Sequence, residues 1–171
     1  MIEKATFAGG CFWCVQGPFD AQEGVSNVQV GYAGGSEEDA NYPRVCTGRT
    51  KHREAIHMEY DPEKVSYETL VGIFFRQIDP TDPKGQFNDQ GQQYTTAVYT
   101  HSDEQKQIAE KVIARINASK KFDKPVATVI EPFTTFFPAE EEHQAYYKKN
   151  PLRYGMYKMG SGRTKFIDNN W

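Results

Sequence analysis

The stretch EKATFAGGCFWCVQ, residues 3–16, decides how the chain is read. EKATFA has the character of a short strand, and helix-like residues follow from Phe12. Between them Gly9 and Gly10 provide a sharp exit, because glycine accepts backbone angles and close approaches that other residues resist. A cysteine where a strand hands over to a helix stands at the positive end of the helix dipole, beside unpaired amides that stabilise a thiolate. Cys11 is thereby placed as a nucleophile. Cys14, one turn along, is close enough to form a disulfide once Cys11 is oxidised. Phe12 and Trp13 build an apolar wall suited to a small apolar group such as a methyl. Pro18 lies in the same helical run and cannot donate to the Cys14 carbonyl, so the first turn is expected to be loose or kinked.

Working outward, VSNVQVGYAGG and EAIHMEYDP alternate apolar and polar residues before a glycine pair and an Asp-Pro stop, as half-buried strands do. Ser66 is the expected N-cap of a helix through YETLVGIFFRQI, with Leu70, Phe74 and Ile78 on one face. DPTDPKGQFNDQGQQY is a long polar loop, and a loop of that length usually has a function. YTTAVYT reads as a strand, Ser102 and Gln105 as a capping box opening a helix to about Ser119, and VATVIEPF as a further strand. PAEEEHQAYYKKN reads as one short helix, acidic first and basic last, as the dipole prefers. The tail from Pro151 reads as irregular. Strands and helices interleave without a doubly wound rhythm, which predicts an α+β fold with a mixed sheet and no interdomain linker. A single domain over residues 1–171 is expected.

The 171 residues are 38% hydrophobic and 25% charged with a net charge of −3, which lacks the basic excess that nucleic acid attracts. No apolar run is long enough to cross a bilayer, and MIEKATFAGG has neither a basic start nor an apolar signal core, so a cytoplasmic setting is expected. Three cysteines are an odd number for a disulfide scaffold and point to chemistry. A zinc site joining the pair to Cys46, His52 and His57 fits no familiar ligand spacing. Cys46 by itself reads as a small buried apolar residue. The pair alone is also compatible with a general thiol-disulfide oxidoreductase or a redox sensor.

GGCFWC resembles the active-site signature of the A-type peptide methionine sulfoxide reductases. GYAGG, NYPRVCTGRTKHREAIHMEYDP, FNDQGQQY and EEHQAYYKKNP resemble the same family in order and spacing. The resemblance implies a two-layer sandwich with a ferredoxin-like plait core. It also implies reduction of the S epimer of methionine sulfoxide, free or in proteins, with Cys11 attacking the sulfur. A sulfoxide oxygen leaves poorly until protonated, and the family's acid falls on Glu54. Family tyrosines that hydrogen-bond the oxygen fall on Tyr42 and Tyr94, and an ordering aspartate falls on Asp89. Phe12 and Trp13 match the pocket for the substrate methyl. Many relatives carry resolving cysteines in a glycine-rich C-terminal tail, whereas RYGMYKMGSGRTKFIDNNW has none. Cys14 is therefore the expected resolving cysteine, with an external thiol and Cys46 as the alternatives. Thioredoxin or a similar dithiol is the implied reductant, with no metal or organic cofactor, and a monomer is expected.

Overall fold

β1 (Glu3–Gly9) is the strand that the opening stretch predicts, and it lies inside the sheet with a neighbour on each side. The computed structural model describes every residue from Met1 to Trp171. From β1 the chain continues through α1 (Phe12–Asp20), β2 (Val25–Ala33), α2 (Tyr42–Val45), β3 (Arg53–Tyr60) and α3 (Tyr67–Phe75). The long polar loop holds two short strands, β4 (Gly85–Gln86) and β5 (Asp89–Gln90), before β6 (Thr96–Thr100). Then come α4 (Asp103–Ser119), β7 (Val129–Pro132), β8 (Phe136–Pro138), α5 (Tyr146–Lys149), α6 (Pro151–Ser161) and α7 (Arg163–Asn170).

Six strands make one sheet in the order β7-β6-β1-β3-β2-β8. All neighbours are antiparallel except β6 and β7, so the sheet is mixed, as expected. The segment β1-α1-β2-β3-α3-β6, with its strands ordered β6-β1-β3-β2, is the ferredoxin-like plait. Successive side chains of a strand point to opposite faces, and that parity sorts the core. Ala5 and Phe7, Val30 and Tyr32, Ile56, Met58 and Tyr60, and Val98 all join the cluster that packs against the buried faces of α1 and α3. The reverse face is made of Ala8, Ala33, Ala55, Ala97 and Tyr99, covered by Phe133 and Phe136. At the centre Phe7 stacks on Phe74 at 5.0 Å and on Phe19 at 5.6 Å.

The turn from β1 into α1 needs glycine: Gly10 has φ +82°, and a Cβ there would lie 2.7 Å from Cβ of Gln86. α1 runs on through Pro18 to Asp20, and its opening is tight, with the Cys14 amide donating to the Cys11 carbonyl at 3.1 Å. Ser66 and Ser102 cap α3 and α4 by accepting from the amides of Thr69 and Gln105. Gln105 does not close the expected capping box; its side chain accepts from the His101 amide and donates to the Lys4 carbonyl, tying α4 to β1.

Two expectations for the C-terminal third are corrected. PAEEEHQAYYKKN is not one helix: a single 3-10 turn at Glu141–His143 is separated from α5 by Ala145 at φ +51°. The cause is Gln144, whose side chain accepts from the Val30 amide and donates to the Val30 carbonyl, docking the chain on β2 in place of a continued helix. The tail is not irregular either, because α6 and α7 occupy most of it. Pro151 starts α6 at a position where its missing amide hydrogen costs nothing, and Gly162 at φ +91° lets the chain turn into α7. No helix is long and apolar enough to cross a membrane.

Phe7→Ala removes the ring on which Phe19, Tyr67 and Phe74 stack. Urea unfolding is expected to show a loss of about 3–5 kcal/mol, with the far-ultraviolet dichroism of the remaining folded state unchanged.

Candidate active site

Strand register brings the Glu54 carboxyl beside the turn that holds Cys11. Glu54 stands opposite Tyr32 of β2 and shares the parity of Ile56 and Met58, so its side chain turns toward the helical layer at the end where α1 begins. There it is 1% exposed, and its Oε1 accepts a hydrogen bond from the Phe12 amide at 3.2 Å. Burial raises its pKa to about 8 against the lowering effect of that amide, and the charges of Asp89 and Cys14 push the same way as burial. Strand parity thus turns Glu54 inward, although it lies near the end of β3.

Cys11 occupies the N-cap of α1 and is 4% exposed. Cys14 sits one turn on, also buried, and both thiols are free. Cys14 is pulled down to about 7, foremost by the neighbouring Cys11 thiol, against burial, with Arg163, Lys158 and Tyr154 adding to it. Cys11 is pushed up, chiefly by burial and by the second thiol. The two thiols titrate as a pair: the first proton leaves near neutrality, and burial together with the charge left behind holds the second back.

Around the pair, Phe12 is buried and Trp13 is partly so. Tyr42, at the start of α2, and Tyr94, in a 3-10 turn at Gln92–Tyr94, are half-buried phenols whose ionisation is suppressed by burial first and by the charge of Glu54 next. Asp89, on β5, accepts a hydrogen bond from the Tyr157 hydroxyl. The eight residues singled out from the sequence therefore gather at one end of the helical face, although they come from five separate segments.

Several neighbours were not singled out. The imidazole of His143 is 4.4 Å from the Tyr42 ring and 5.7 Å from that of Trp13, and its Nδ1 accepts from the Trp13 indole at 3.2 Å. Its Nε2 is buried without a partner. Glu140 accepts from the Tyr32 hydroxyl at 2.8 Å and from the Tyr42 amide at 3.2 Å, which pins α2 to the end of β2. From α6, Tyr157 lies beside Cys11 and sets its ring edge-on to Trp13 at 5.9 Å, while Tyr154 lies beside Cys14. The signal for the last two is a spacing of three residues, one helix face, which is lost when the tail is read as irregular.

Because α6 lies across the pair, solvent scarcely reaches Cys11; the larger surface cavities, about 550 and 530 Å³, lie beside Phe122 and His101 instead. The Cys11 sulfur is therefore covered, with the Tyr157 side chain of α6 beside it. Cys46 is likewise corrected: it is exposed, because it caps the single turn of α2 at the surface, and it lies within hydrogen-bonding range of the Tyr42 hydroxyl. The zinc ligand set weighed from the sequence is not assembled. His52 bonds the Ser36 carbonyl, and His57 bonds Thr6 on the reverse face of the sheet.

The model of the family described as Peptide methionine sulfoxide reductase matches residues 3–171. A relative from Listeria welshimeri named Peptide methionine sulfoxide reductase MsrA is 51% identical over 170 residues, covering 99% of this chain and 96% of its own. Among solved structures, Mxr1 from Saccharomyces cerevisiae in reduced form superimposes with a TM-score of 0.78 at 34% identity, over 88% of this chain and 87% of that one. Mxr1 in complex with Trx2 aligns at a TM-score of 0.54 and 24% identity over 85% of this chain and 84% of that one, a likeness of fold alone. With GGCFWC set against a buried carboxyl on a plait fold, and a match that runs almost from end to end, the chain belongs to the peptide methionine sulfoxide reductase family.

Proposed function

We infer that the protein reduces the S epimer of methionine sulfoxide, free or in proteins, to methionine. The observation that carries this reading is the Glu54 carboxyl, buried and still protonated at neutral pH, hydrogen-bonded to the amide that follows Cys11. Thiol-disulfide exchange does not require such an acid, because a thiolate leaves without being protonated. A sulfoxide oxygen does need a proton, and Glu54 is the donor.

Once the pair has lost one proton, the negative charge is used at Cys11 and the remaining proton rests on Cys14. Cys11 then attacks the sulfoxide sulfur while Glu54 protonates the oxygen, and Tyr42 and Tyr94 donate to that oxygen as charge develops on it. The protonated oxygen then passes from the substrate sulfur to Cys11 as the S–S bond made by the attack breaks: methionine leaves and Cys11 becomes a sulfenic acid. Phe12 and Trp13 hold the substrate methyl, and Asp89 orders the site through Tyr157. Cys14 attacks the Cys11 sulfur, expelling water and closing a disulfide. A dithiol of the thioredoxin class reopens it, so the sum is sulfoxide plus dithiol to thioether, disulfide and water. These steps call on no metal or organic cofactor. Three free thiols suit a reducing cytoplasm, and the protein is taken as a monomer of one domain.

Cys11→Ser is expected to abolish stoichiometric reduction of a methionine sulfoxide peptide, and retained reduction overturns the assignment. Glu54→Gln should lower the rate about 10²–10⁴-fold with the fold intact, and the wild-type rate should fall as pH rises through about 8. Stability moves in the same direction. Between the ordinary carboxylate value of 4.5 and about 8 the folded state holds a proton that the unfolded state has released, so wild-type stability declines with rising pH there. Urea titrations across that range should show a flatter profile for Glu54→Gln.

Mass spectrometry after one equivalent of substrate without reductant tests the second step. A Cys11–Cys14 linkage is expected in the wild type and a trappable sulfenic acid at Cys11 in Cys14→Ser. A linkage to Cys46, or no linkage in the wild type, removes Cys14 from the resolving role.

A further inference from the structure

Arg163 is 1% exposed, yet the ion pairs of the protein all involve other cations. A buried charge without a counter-ion is costly. As the first residue of α7, it also faces the positive end of that helix's dipole, the wrong end for a cation. Its guanidinium donates to the Gln77 carbonyl at 2.6 Å and to the Gly9 carbonyl at 3.1 Å, and it lies 4.9 Å from the centre of the Phe87 ring. Two carbonyls and a ring face offer partial charges only.

What the guanidinium stands beside gives the location its sense. Gly9 precedes Cys11 by two residues, and a Cβ on Gly10 would lie 2.9 Å from the same guanidinium nitrogen that holds the Gly9 carbonyl. The cation thus lies against the turn that carries the nucleophile.

We propose that Arg163 is the counter-charge of the Cys11–Cys14 pair, a positioning residue that fixes the Gly9–Gly10–Cys11 turn and compensates the negative charge left when the pair loses its first proton. The proposal rests on the reading of that pair as the redox centre. Its charge favours the ionised forms of Cys11, Cys14 and Tyr154. The other groups facing the pair are accounted for. Lys158 of α6 acts with Arg163 on Cys14, Tyr154 and Tyr157 of α6 lie beside Cys14 and Cys11, and Glu54 of β3 opposes ionisation of Cys11. Asp89 of β5 acts on Glu54. Of the two cations, Lys158 is on α6 and partly exposed, so Arg163 alone is shielded from solvent screening.

The test is the pH dependence of thiolate absorbance and of iodoacetamide labelling at Cys11 and Cys14 in reduced wild type, Arg163→Gln and Arg163→Lys, with folding checked by circular dichroism. Glutamine can still donate to a backbone carbonyl but carries no charge; lysine keeps the charge and loses the paired geometry. The wild type should begin to titrate near 7, Arg163→Gln should shift upward by about one unit or more, and Arg163→Lys should stay closer to the wild type. A folded Arg163→Gln with an unmoved titration overturns the proposal. So does a wild type in which neither thiol titrates below the ordinary cysteine value, a result that needs no variant to fold. Sulfoxide reduction by the wild type is measured separately: an inactive enzyme with the predicted shift defeats the functional reading and leaves the counter-charge standing.

Discussion

The contact on which the rest depends is the hydrogen bond from the Phe12 amide to the buried carboxyl of Glu54. It joins the first turn of α1 to the start of β3, and so binds the helical layer to the sheet at the place where Cys11 is held. The carboxyl is there because β3 has a strict two-residue parity that aligns Glu54 with Ile56, Met58 and Tyr60, residues no folded form of this sheet can expose without losing its core. Burial that the core enforces is also what keeps the proton on Glu54. Fold and acid chemistry therefore have one cause.

That arrangement sets two charges at odds. A protonated acid is best served by a dry, apolar surrounding, while a thiolate needs donors or a cation. The site separates these demands in space. Glu54 has the Phe12 amide and apolar walls; the cysteines have α6 and α7, which bring Tyr154, Tyr157, Lys158 and Arg163 to their side. The C-terminal helices are accordingly part of the electrostatics of the site as well as its cover. Tyr157 links both halves, since its hydroxyl meets Cys11 and Asp89, the latter on the polar hairpin that also bears on Glu54.

Leu152, Met156 and Met159 of α6 remain exposed, on the side of the helix away from Tyr154 and Tyr157. α6 is thus held by its tyrosines over the site more than by apolar burial, the kind of attachment that can be opened locally without disturbing the plait beneath.

Much of this was written in local order. The alternation of apolar residues in the strands, the serine caps of α3 and α4, and the Gly9–Gly10 handover could all be read directly, because each is decided by neighbours a few residues away. The identity of the pair, Cys11 and Cys14, was equally plain, and family resemblance singled out Glu54, Tyr42, Tyr94 and Asp89, which composition never would have. Sequence alone thus determined the α+β class with its mixed sheet and the place of the two thiols at the strand–helix handover, and the resemblance supplied the plait. Tertiary structure decided the rest: that α6 and α7 are helices lying over the site, that Cys46 is at the surface, that His143 joins the aromatic wall, and that Arg163 is buried against the turn. Each of these depends on contacts between residues as far apart as Gly9 and Arg163, and the energy of a buried charge or a covered thiol is set by what surrounds it in space, which no local pattern records.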